Sequence, residues 1–407
     1  MIINIVVQRL SRKRFSGGIW CIFEYASGLA AKGHKVNVIP YLPSATPEWF
    51  DVSGIHFIGT GKLARIKHLL RNILGAIKYV ALSLLDRKNV SRLLENIHGA
   101  IYDINVFEPR MLPLELRQGI SIRYLQEIMP EADITLATSN ETALPVCLGG
   151  SGKLYYFMQH FEPFFSNESS NPKLAEIIAT QSYFLGLNMI ANSSWLKNKV
   201  ENETELTSIE LCMNAINHTA FNGHPKIAAD SNLVKIISYG GRNAEWKGFR
   251  EMAEAVSIAR NRLTDVIIEW RVYGDALLPP DNTTAPYNSL GFLTPDHLAD
   301  AYRDCDLLLS ASWYESFPLF PLEAMACGLP VITTQNGTED FAFHGETAHI
   351  VEARSPADIA EGIIKMVEDP DYRTRLARRG FETSHTFTWK KSAQTMESIL
   401  TSSNISS

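Results

Sequence analysis

Short runs of β-branched and other apolar residues alternate with amphipathic helical stretches along most of this chain, and no other feature constrains its fold as strongly. This alternation is typical of parallel sheets that are covered by helices on both faces. The runs predict strands at residues 3–8, 35–41, 101–107, 133–138, 154–159 and 189–192, and a second series at 235–240, 266–273, 306–310, 331–334 and 349–351. A single sheet of so many strands would exceed the roughly ten that twisted open sheets usually hold. The sequence therefore predicts an α/β protein with two doubly wound, Rossmann-like domains.

The division between the domains is predicted from turn-forming residues. They cluster in residues 214–233, where no hydrophobic period persists. We place the boundary near residue 220, so that residues 1–220 form a first domain and residues 221–385 a second. Residues 386–407 read as a terminal helix with apolar side chains available for burial, and we expect it to pack back toward the first domain.

Charge and cysteine content exclude several classes of protein. Lys and Arg number 38 against 44 Asp and Glu, so the net charge of -6 gives no global attraction to nucleic acid. The five cysteines are odd in number and form no Cys-x-x-Cys pair, which argues against a disulfide framework and a structural zinc site. The N-terminus lacks the sections of a signal peptide, and the longest nearly apolar run, residues 73–85, is shorter than the roughly 20 residues of a membrane-spanning helix. We expect a cytoplasmic protein.

One window departs from this acidic background. Residues 62–92 contain a single acid, Asp86, against the basic residues Lys62, Arg65, Lys67, Arg71, Lys78, Arg87, Lys88 and Arg92. Interleaved apolar residues make the window a basic amphipathic segment, which could lie on the anionic inner face of the cytoplasmic membrane. The alternative is a solvated helix whose apolar face packs on the sheet.

A pair of glycines follows the first strand in each of the two predicted domains. Gly17-Gly18 lets the backbone approach a ligand before the first helix, although it lacks the dinucleotide fingerprint and could equally be a flexible loop. Gly240-Gly241 is followed by Arg242 and Lys247. Cations at the start of a helix are unfavourable for the helix alone, because its dipole favours an anion there. A diphosphate would reconcile them, whereas the alternative is a solvated loop.

Two carboxylates stand eight residues apart in the segment that follows the strand at 306–310. Glu315 should lie at the carboxyl end of the sheet, where ligands of such folds bind, and Glu323 in the first turns of a short helix that Gly328 can cap. Carboxylates accept hydrogen bonds from a ligand rich in hydroxyl groups. Glu323 by itself could instead merely decorate the helix N-terminus.

These residues carry a family resemblance. The run Glu315-Ser-Phe-x-Leu-x-x-Leu-Glu323-Ala-Met-Ala-Cys-Gly-Leu-Pro-Val-Ile resembles the E-x7-E signature of the large family four of retaining GT-B glycosyltransferases. Gly-Gly-Arg242-x4-Lys247-Gly is similar to the donor-diphosphate motif of that family, and Gly17-Gly18 to its N-terminal glycine loop. The resemblance covers nearly the whole chain and is most specific in the C-terminal half.

The resemblance implies a GT-B fold, in which two Rossmann-like domains face each other across a cleft. It also implies that Arg242 and Lys247 hold the leaving diphosphate, that Glu315 contacts the donor sugar and that Glu323 contacts the nucleotide ribose. The other residues expected around the donor are Gly17, Gly18, Gly241, Gly274, Phe292, Leu293, Ser316, Leu319 and Phe320. No cofactor and no metal ion are expected.

His160 ends a predicted strand of the first domain and is similar by position to the active-site histidine of the family. A lone histidine is otherwise usually structural. Its setting, Gln159-x-x-Glu162-Pro, also resembles rhamnosyltransferases of bacterial surface polysaccharides.

The chain departs from the family at Pro318, where a glycine is usual. Proline has no N–H to donate, so either Leu319 and Phe320 supply the backbone donors or the donor binds differently. Asp304-Cys-Asp306 resembles the metal motif of a different glycosyltransferase fold, but its two acids end a helix and begin a strand, and we reject it as a metal site.

The resemblance implies a retaining, metal-independent transferase that moves a sugar from a nucleotide-diphosphate donor to a hydroxyl group of a glycan or lipid-linked acceptor in the synthesis of bacterial surface polysaccharide. dTDP-rhamnose is the first candidate donor and GDP-mannose the second. The alternatives are a sugar-nucleotide epimerase or a glycoside phosphorylase on the same fold, or a non-catalytic glycan-binding partner.

Overall fold

The computed structural model describes residues 1–61 without 14, the four residues 63, 64, 66 and 70, and residues 122–402 without 169–170, 229–231, 242–243 and 276–283. The chain divides into two compact units. The first comprises Met1–Ile190, Leu206–Glu210 and Met396–Ser407, and the second comprises Ala191–Glu205 and Leu211–Thr395.

The first unit is built on a parallel sheet. Its strands are β1 (Ile2–Val7), β2 (Lys35–Pro40), β3 (Ile55–Phe57), β4 (Ile134–Ala137), β5 (Lys153–Met158), β6 (Asn188–Ala191) and β7 (Ile209–Leu211). They lie in the order β3-β2-β1-β4-β5-β6-β7. In β1, Ile5 is opposite Val38 on one side and Leu136 on the other, and all three side chains are buried. Burial on both faces accounts for the continuous apolar runs of these strands.

Helices connect these strands. They are α1 (Gly17–Ala31), α2 (Asn140–Gly149), α3 (Pro172–Gln181) and α4 (Ser194–Thr204), and α4 belongs to the second unit. Polar residues start three of them: the side chains of Ser16, Asn171 and Ser193 accept hydrogen bonds from the first turns of α1, α3 and α4. Such caps satisfy backbone N–H groups that have no partner inside the helix.

The second unit has its own parallel sheet. Its strands are β8 (Leu233–Tyr239), β9 (Ile267–Tyr273), β10 (Asn288–Gly291), β11 (Leu307–Ser310), β12 (Val331–Thr334) and β13 (His349–Val351), in the order β10-β9-β8-β11-β12-β13. The helices are α5 (Phe249–Arg262), α6 (Pro295–Asp304), α7 (Leu319–Ala326), α8 (Pro356–Glu368), α9 (Pro370–Ser384) and α10 (Trp389–Thr401).

Alternate residues of β8 and β11 face two separate apolar clusters. Ile236 and Leu307 belong to the cluster that includes side chains of α5 and α8, whereas Ile237 and Leu308 belong to the cluster of α6 and α7. The sheet is thus covered on both faces, as a doubly wound domain requires.

The predicted α/β class with two parallel sheets is confirmed. Three short strands, β3, β7 and β10, were not predicted, because each has only three or four residues and an exposed position within it. The strand predicted at residues 101–107 lies outside the described residues. In the part of the chain that the structure does describe, no helix is both long enough and apolar enough to span a bilayer.

Lys247 was expected at the start of a helix, but it lies just before one. It ends a single 3-10 turn, and α5 begins two residues later at Phe249. Gly248 separates the two with a φ of 68°, a left-handed conformation that breaks the helix and that favours glycine.

Candidate functional site

The site lies at the carboxyl edge of the second sheet, where β8 and β11 are neighbours. The chain leaves β8 toward β9 on one side, and β11 begins the other half of the sheet. Loops that follow neighbouring strands diverge at such a switch point and leave a crevice that ligands of α/β sheets occupy. The loop after β8 carries Lys247, and the loop after β11 carries Glu315.

Glycines bring the loop after β8 close to neighbouring backbone. A Cβ atom on Gly241 would lie 2.7 Å from the backbone nitrogen of Asp275, and one on Gly274, whose φ is 136°, would collide with Gly241. A Cβ atom on Gly248 would collide with the carbonyl oxygen of Ala311. The loops after β8, β9 and β11 therefore meet at backbone contact distance.

Lys247 and Glu315 form an ion pair within this arrangement. The Nζ atom of Lys247 lies 2.5 Å from Oε1 of Glu315, and the side chains are only 22% and 14% exposed. The same ammonium group is 5.9 Å from the ring centroid of Tyr239, at the end of β8. The structure thus brings together Lys247, which was predicted to bind the diphosphate, and Glu315, which was predicted to bind the sugar.

The loop that carries Glu315 is held from its other side as well. The Thr334 hydroxyl donates to the Ser312 carbonyl at 2.5 Å, and the Asn336 amide donates to the Trp313 carbonyl at 2.9 Å. Gly337 has a φ of 90° and packs where a Cβ atom would collide with the Glu315 carbonyl. The buried Ser316 hydroxyl donates to the side-chain oxygen of Asn192. These contacts fix the backbone from which Glu315 projects.

Helix α7 begins directly after this loop. Pro318 is its N-cap, and Leu319 and Phe320 are its first residues. The first N–H groups of a helix have no partner within it. The backbone donors that Pro318 cannot supply are therefore present on Leu319 and Phe320, as expected from the sequence. Gly328, with a φ of 79°, follows the end of α7 as predicted.

Glu323 is buried in α7 and does not decorate a helix surface. Its Oε2 atom has no hydrogen-bond partner among the described residues. Burial raises the pKa of this carboxyl group to about 8. The nearby hydroxyl groups of Tyr273 and Tyr302 hydrogen-bond to each other at 2.8 Å. A buried acceptor that the protein leaves unsatisfied is unfavourable by itself and suits a ligand that brings a donor.

The remaining donor-site predictions fall at the same edge of the sheet. Phe292 and Leu293 directly follow β10; the Phe292 side chain is 58% exposed, whereas Leu293 packs against the apolar cluster of α6 and α7. Phe292 is therefore the more exposed of the two, and Leu293 is partly buried.

Arg242 and most of the basic window of residues 62–92 lie outside the described residues. Of the basic window, only four residues are described, and three of them are exposed leucine or isoleucine side chains: Leu63, Ile66 and Leu70.

The two acids that were rejected as a metal site, Asp304 and Asp306, both bind other residues. Asp304 forms ion pairs with Arg271 and Lys235, and the Asp306 carboxylate accepts a hydrogen bond from the backbone N–H of Lys235 at 2.8 Å.

The predicted residues of the first unit also converge at the carboxyl edge of their sheet. Gly17 is the first residue of α1, and a Cβ atom on Gly18 would lie 3.8 Å from Gln159. His160 follows β5 and directly adjoins Gln159; its ring contacts the ring of Phe165 with centroids 4.4 Å apart. The glycine loop and the histidine-bearing strand end thus lie together within this unit.

Glu162, two residues after His160, is a buried acid to which sequence reasoning gave no role of its own. Glu162 accepts the backbone N–H of Asn140 at the start of α2 and lies against Tyr156 and Tyr183. Burial raises the pKa of its carboxyl group to about 8. Its place two residues beyond His160 was the available signal, because acids that follow a buried strand end often face a site.

No group of three or more His, Cys, Asp or Glu side chains is placed to hold a metal ion within the described ranges.

Comparisons with known proteins agree with the resemblance. Residues 234–369 match the sequence model of the family "Glycosyl transferases group 1". This stretch runs from β8 to the end of α8 and contains Lys247, Glu315 and Glu323. The predicted resemblance to group 1 glycosyltransferases is confirmed.

A curated relative matches a longer stretch of the chain. The O-antigen biosynthesis protein RfbC of Myxococcus xanthus is 26% identical over 325 residues, which is 73% of this chain but only 24% of that protein. The chain therefore spans about a quarter of the length of this relative.

Solved structures match the fold over nearly the whole chain. Sucrose-phosphate synthase of Thermosynechococcus elongatus is 15% identical with a TM-score of 0.67, and 98% of each chain is covered. HepE of Anabaena, solved in complex with UDP-glucose, is 14% identical with a TM-score of 0.63 and covers 98% of this chain and 99% of its own. The predicted GT-B fold is confirmed.

Proposed function

We propose that this protein is a retaining glycosyltransferase that moves a sugar from a nucleotide-diphosphate donor to a hydroxyl group of a glycan or lipid-linked acceptor, without a metal ion. One observation carries the proposal: Lys247 and Glu315 meet at the switch point of the second sheet. A cation and a carboxylate side by side can bind two adjacent parts of one ligand, a phosphate group and a hydroxyl-rich sugar.

The chemical role of Lys247 follows from the charge that develops during transfer. Negative charge grows on the diphosphate as its bond to the anomeric carbon breaks, and a fixed cation in a partly dry site stabilises it. Lys247 is largely buried and so suits this role. Arg242 would add a second cation, as the family resemblance implies. Cationic side chains would thus do at the diphosphate what a metal ion does in other transferases.

The two glutamates would select the donor. Glu315 would accept a hydrogen bond from a hydroxyl group of the sugar once the diphosphate has drawn Lys247 away from it. Glu323, whose pKa burial raises to about 8, would accept a hydrogen bond from a ribose hydroxyl group through the Oε2 atom that has no partner among the described residues. The N–H groups of Leu319 and Phe320 at the start of α7 add donors for phosphate or sugar oxygens.

We assign His160 the role of orienting the donor sugar, and the leaving phosphate the role of accepting the proton of the acceptor hydroxyl. On this account no dedicated base is needed. The position of His160 directly after β5, next to Gln159 and the glycine loop of the first unit, supports the assignment.

The context that we propose is the synthesis of bacterial surface polysaccharide in the cytoplasm. The name of the Myxococcus relative, an O-antigen biosynthesis protein, supports it. We propose dTDP-rhamnose as the first donor to test and GDP-mannose as the second; the HepE complex makes UDP-glucose a necessary member of the panel. Residues 62–92 would attach the protein to the anionic inner face of the membrane that carries a lipid-linked acceptor.

A thermal-shift screen tests the donor class. The purified protein is heated with UDP, GDP, ADP or dTDP and with their common sugar conjugates. A ligand that binds only the folded protein stabilises it by about 2.7 kcal/mol at a concentration of 100 Kd, so one nucleotide should raise the melting temperature clearly. A shift confined to one base identifies the donor class. The absence of a shift with every nucleotide would contradict the proposed function and favour a non-catalytic glycan-binding protein.

A further inference from the structure

Two aromatic side chains stand immediately before the two charged residues of the site. Trp246 precedes Lys247, and Tyr314 precedes Glu315. Their rings are stacked, with centroids 6.2 Å apart and planes only 8° from parallel. The loop after β8 and the loop after β11 therefore touch at two successive positions, first through an aromatic stack and then through an ion pair.

The backbones of the two loops are joined beside this stack. The Trp313 N–H donates to the Trp246 carbonyl at 2.6 Å. Gly248 packs against the Ala311 carbonyl so closely that no side chain fits. The backbones of the two loops thus lie close together on both sides of the stack.

Trp313 ties the second loop to helix α5 and to the turn that contains Arg354. Its indole N–H donates to Glu251 in the first turn of α5 at 2.9 Å, and the Arg354 guanidinium carbon lies 3.9 Å from its ring centroid. A cation over an indole face is attracted by the ring. The loop that carries Glu315 is therefore anchored to elements outside the site.

The ion pair by itself cannot preserve this register during the reaction. A diphosphate that enters the site would compete with Glu315 for the Lys247 ammonium group. Stacked aromatic pairs add stability beyond that of their buried area and involve no charge that the ligand can take over. The stack can persist while the ion pair is exchanged for contacts to the ligand.

We propose that Trp246 and Tyr314 are positioning residues that hold Lys247 and Glu315 at the mutual distance needed to bind the diphosphate and the sugar of one donor together. The inference rests on the proposed function for the identity of that ligand. Its physical basis is that misplacing a binding group by about 1 Å can cost 100-fold in rate even when binding survives.

The first test needs no nucleotide. The ammonium resonance of Lys247 is observed by proton–nitrogen NMR at low temperature and assigned by its loss in Lys247→Met. We expect it to persist in Tyr314→Phe, which keeps the ring, and to broaden beyond detection in Tyr314→Leu, which does not. An unchanged resonance in folded Tyr314→Leu would overturn the inference. Trp246→Phe and Trp246→Leu repeat the comparison from the other loop, in case one leucine variant fails to fold.

The second test separates positioning from a general structural role. Each variant is assayed for binding of UDP, GDP, ADP and dTDP by calorimetry and for hydrolysis of UDP-glucose, GDP-mannose and dTDP-rhamnose. With the donor that wild type uses, Tyr314→Leu should keep nucleoside-diphosphate affinity within about twofold and lose at least tenfold in kcat, with Tyr314→Phe restoring the rate. Equal losses in affinity and rate would indicate a merely structural role and overturn the inference. If wild type binds no nucleotide, the proposed function fails, whereas the Lys247 resonance still decides the inference.

Discussion

Lys247 Nζ lies 2.5 Å from Glu315 Oε1, although the two residues are 68 positions apart and stand on loops that follow different strands. In the ligand-free protein the two side chains neutralise each other's charge. The nucleotide sugar that we propose as the ligand offers an anion to Lys247 and a hydroxyl donor to Glu315 at the same time.

Replacement of Lys247 by methionine should weaken the binding of nucleoside diphosphates. Hydrogen bonds to charged groups contribute about 1.5–3 kcal/mol, so the affinity should fall by roughly 10- to 150-fold. Calorimetry with the diphosphate that stabilises wild type measures the change. Lys365→Met is the matched control, because Lys365 pairs with Asp369 on the exposed surface of α8. Wild-type affinity in Lys247→Met would place the diphosphate elsewhere.

Replacement of Glu315 by glutamine should separate binding from transfer. The isosteric amide removes a negative charge beside the diphosphate and releases Lys247, so the affinity for the nucleoside diphosphate should rise by a few-fold. The amide oxygen accepts a hydrogen bond from a sugar hydroxyl group less strongly than a carboxylate does, so the rate of sugar transfer should fall by at least about 100-fold. Calorimetry and a transfer assay on the same preparation test both parts. Full transfer activity would remove Glu315 from the site.

The fold was predictable from sequence because burial on both faces produces long apolar runs, and the strands that lack such runs were the ones missed. The relation of Lys247 to Glu315 was not predictable in the same way. Each residue could be placed at a strand end, but their contact depends on β8 and β11 being neighbours and on Gly248 reaching the Ala311 carbonyl. Sequence spacing does not contain that information.

Glu323 shows the same limit. Its spacing from Glu315 suggested a role in ligand binding, but its burial and its raised pKa follow from how α7 packs against Tyr273 and Tyr302. Glu162 was passed over for a related reason, since only the structure shows that it lies buried against two tyrosines.

Stability should depend on pH through these two buried acids. Burial raises the pKa of Glu323 to about 8, above its ordinary value of 4.5 in the unfolded chain. Between those values the folded state binds more protons than the unfolded state, so stability falls as pH rises. The difference in melting temperature between Glu323→Gln and wild type should therefore grow in favour of the variant from pH 5 to pH 8 and stay constant above pH 8.

Glu162→Gln should behave in the same way, because burial raises the pKa of that carboxyl group to about 8 as well. The surface variant Glu254→Gln on α5 is the control. Melting curves across pH 5–9 in ligand-free buffer measure the difference. A pH-independent offset between Glu323→Gln and wild type would show that Glu323 is already ionised in the folded protein.

The basic window makes a prediction about membranes. Neutralising Lys67, Arg71 and Lys78 together should release the protein from anionic liposomes, because each basic residue near the surface contributes about 1 kcal/mol. Three such residues correspond to a loss of roughly 150-fold in partitioning. Sedimentation with vesicles of phosphatidylglycerol and phosphatidylethanolamine measures it, with neutral vesicles as the control. Equal sedimentation of variant and wild type would support the alternative, in which the segment is a solvated helix whose apolar face packs on the sheet.

Gly248 and Gly345 offer a matched test of how closely the two loops must approach. Both have a left-handed backbone, with φ of 68° and 75°, but a Cβ atom on Gly345 meets nothing within 4 Å whereas one on Gly248 collides with the Ala311 carbonyl. Gly345→Ala should lose only the roughly 1–2 kcal/mol that an L-residue pays in this conformation. Gly248→Ala should lose more stability and, because the loops must separate, should also lose transfer activity that Gly345→Ala keeps. Denaturant unfolding and a transfer assay on both variants measure the two effects. If the two alanine variants proved equally stable and equally active, close contact at Ala311 would be unnecessary for the site, since the same backbone strain would then account for both.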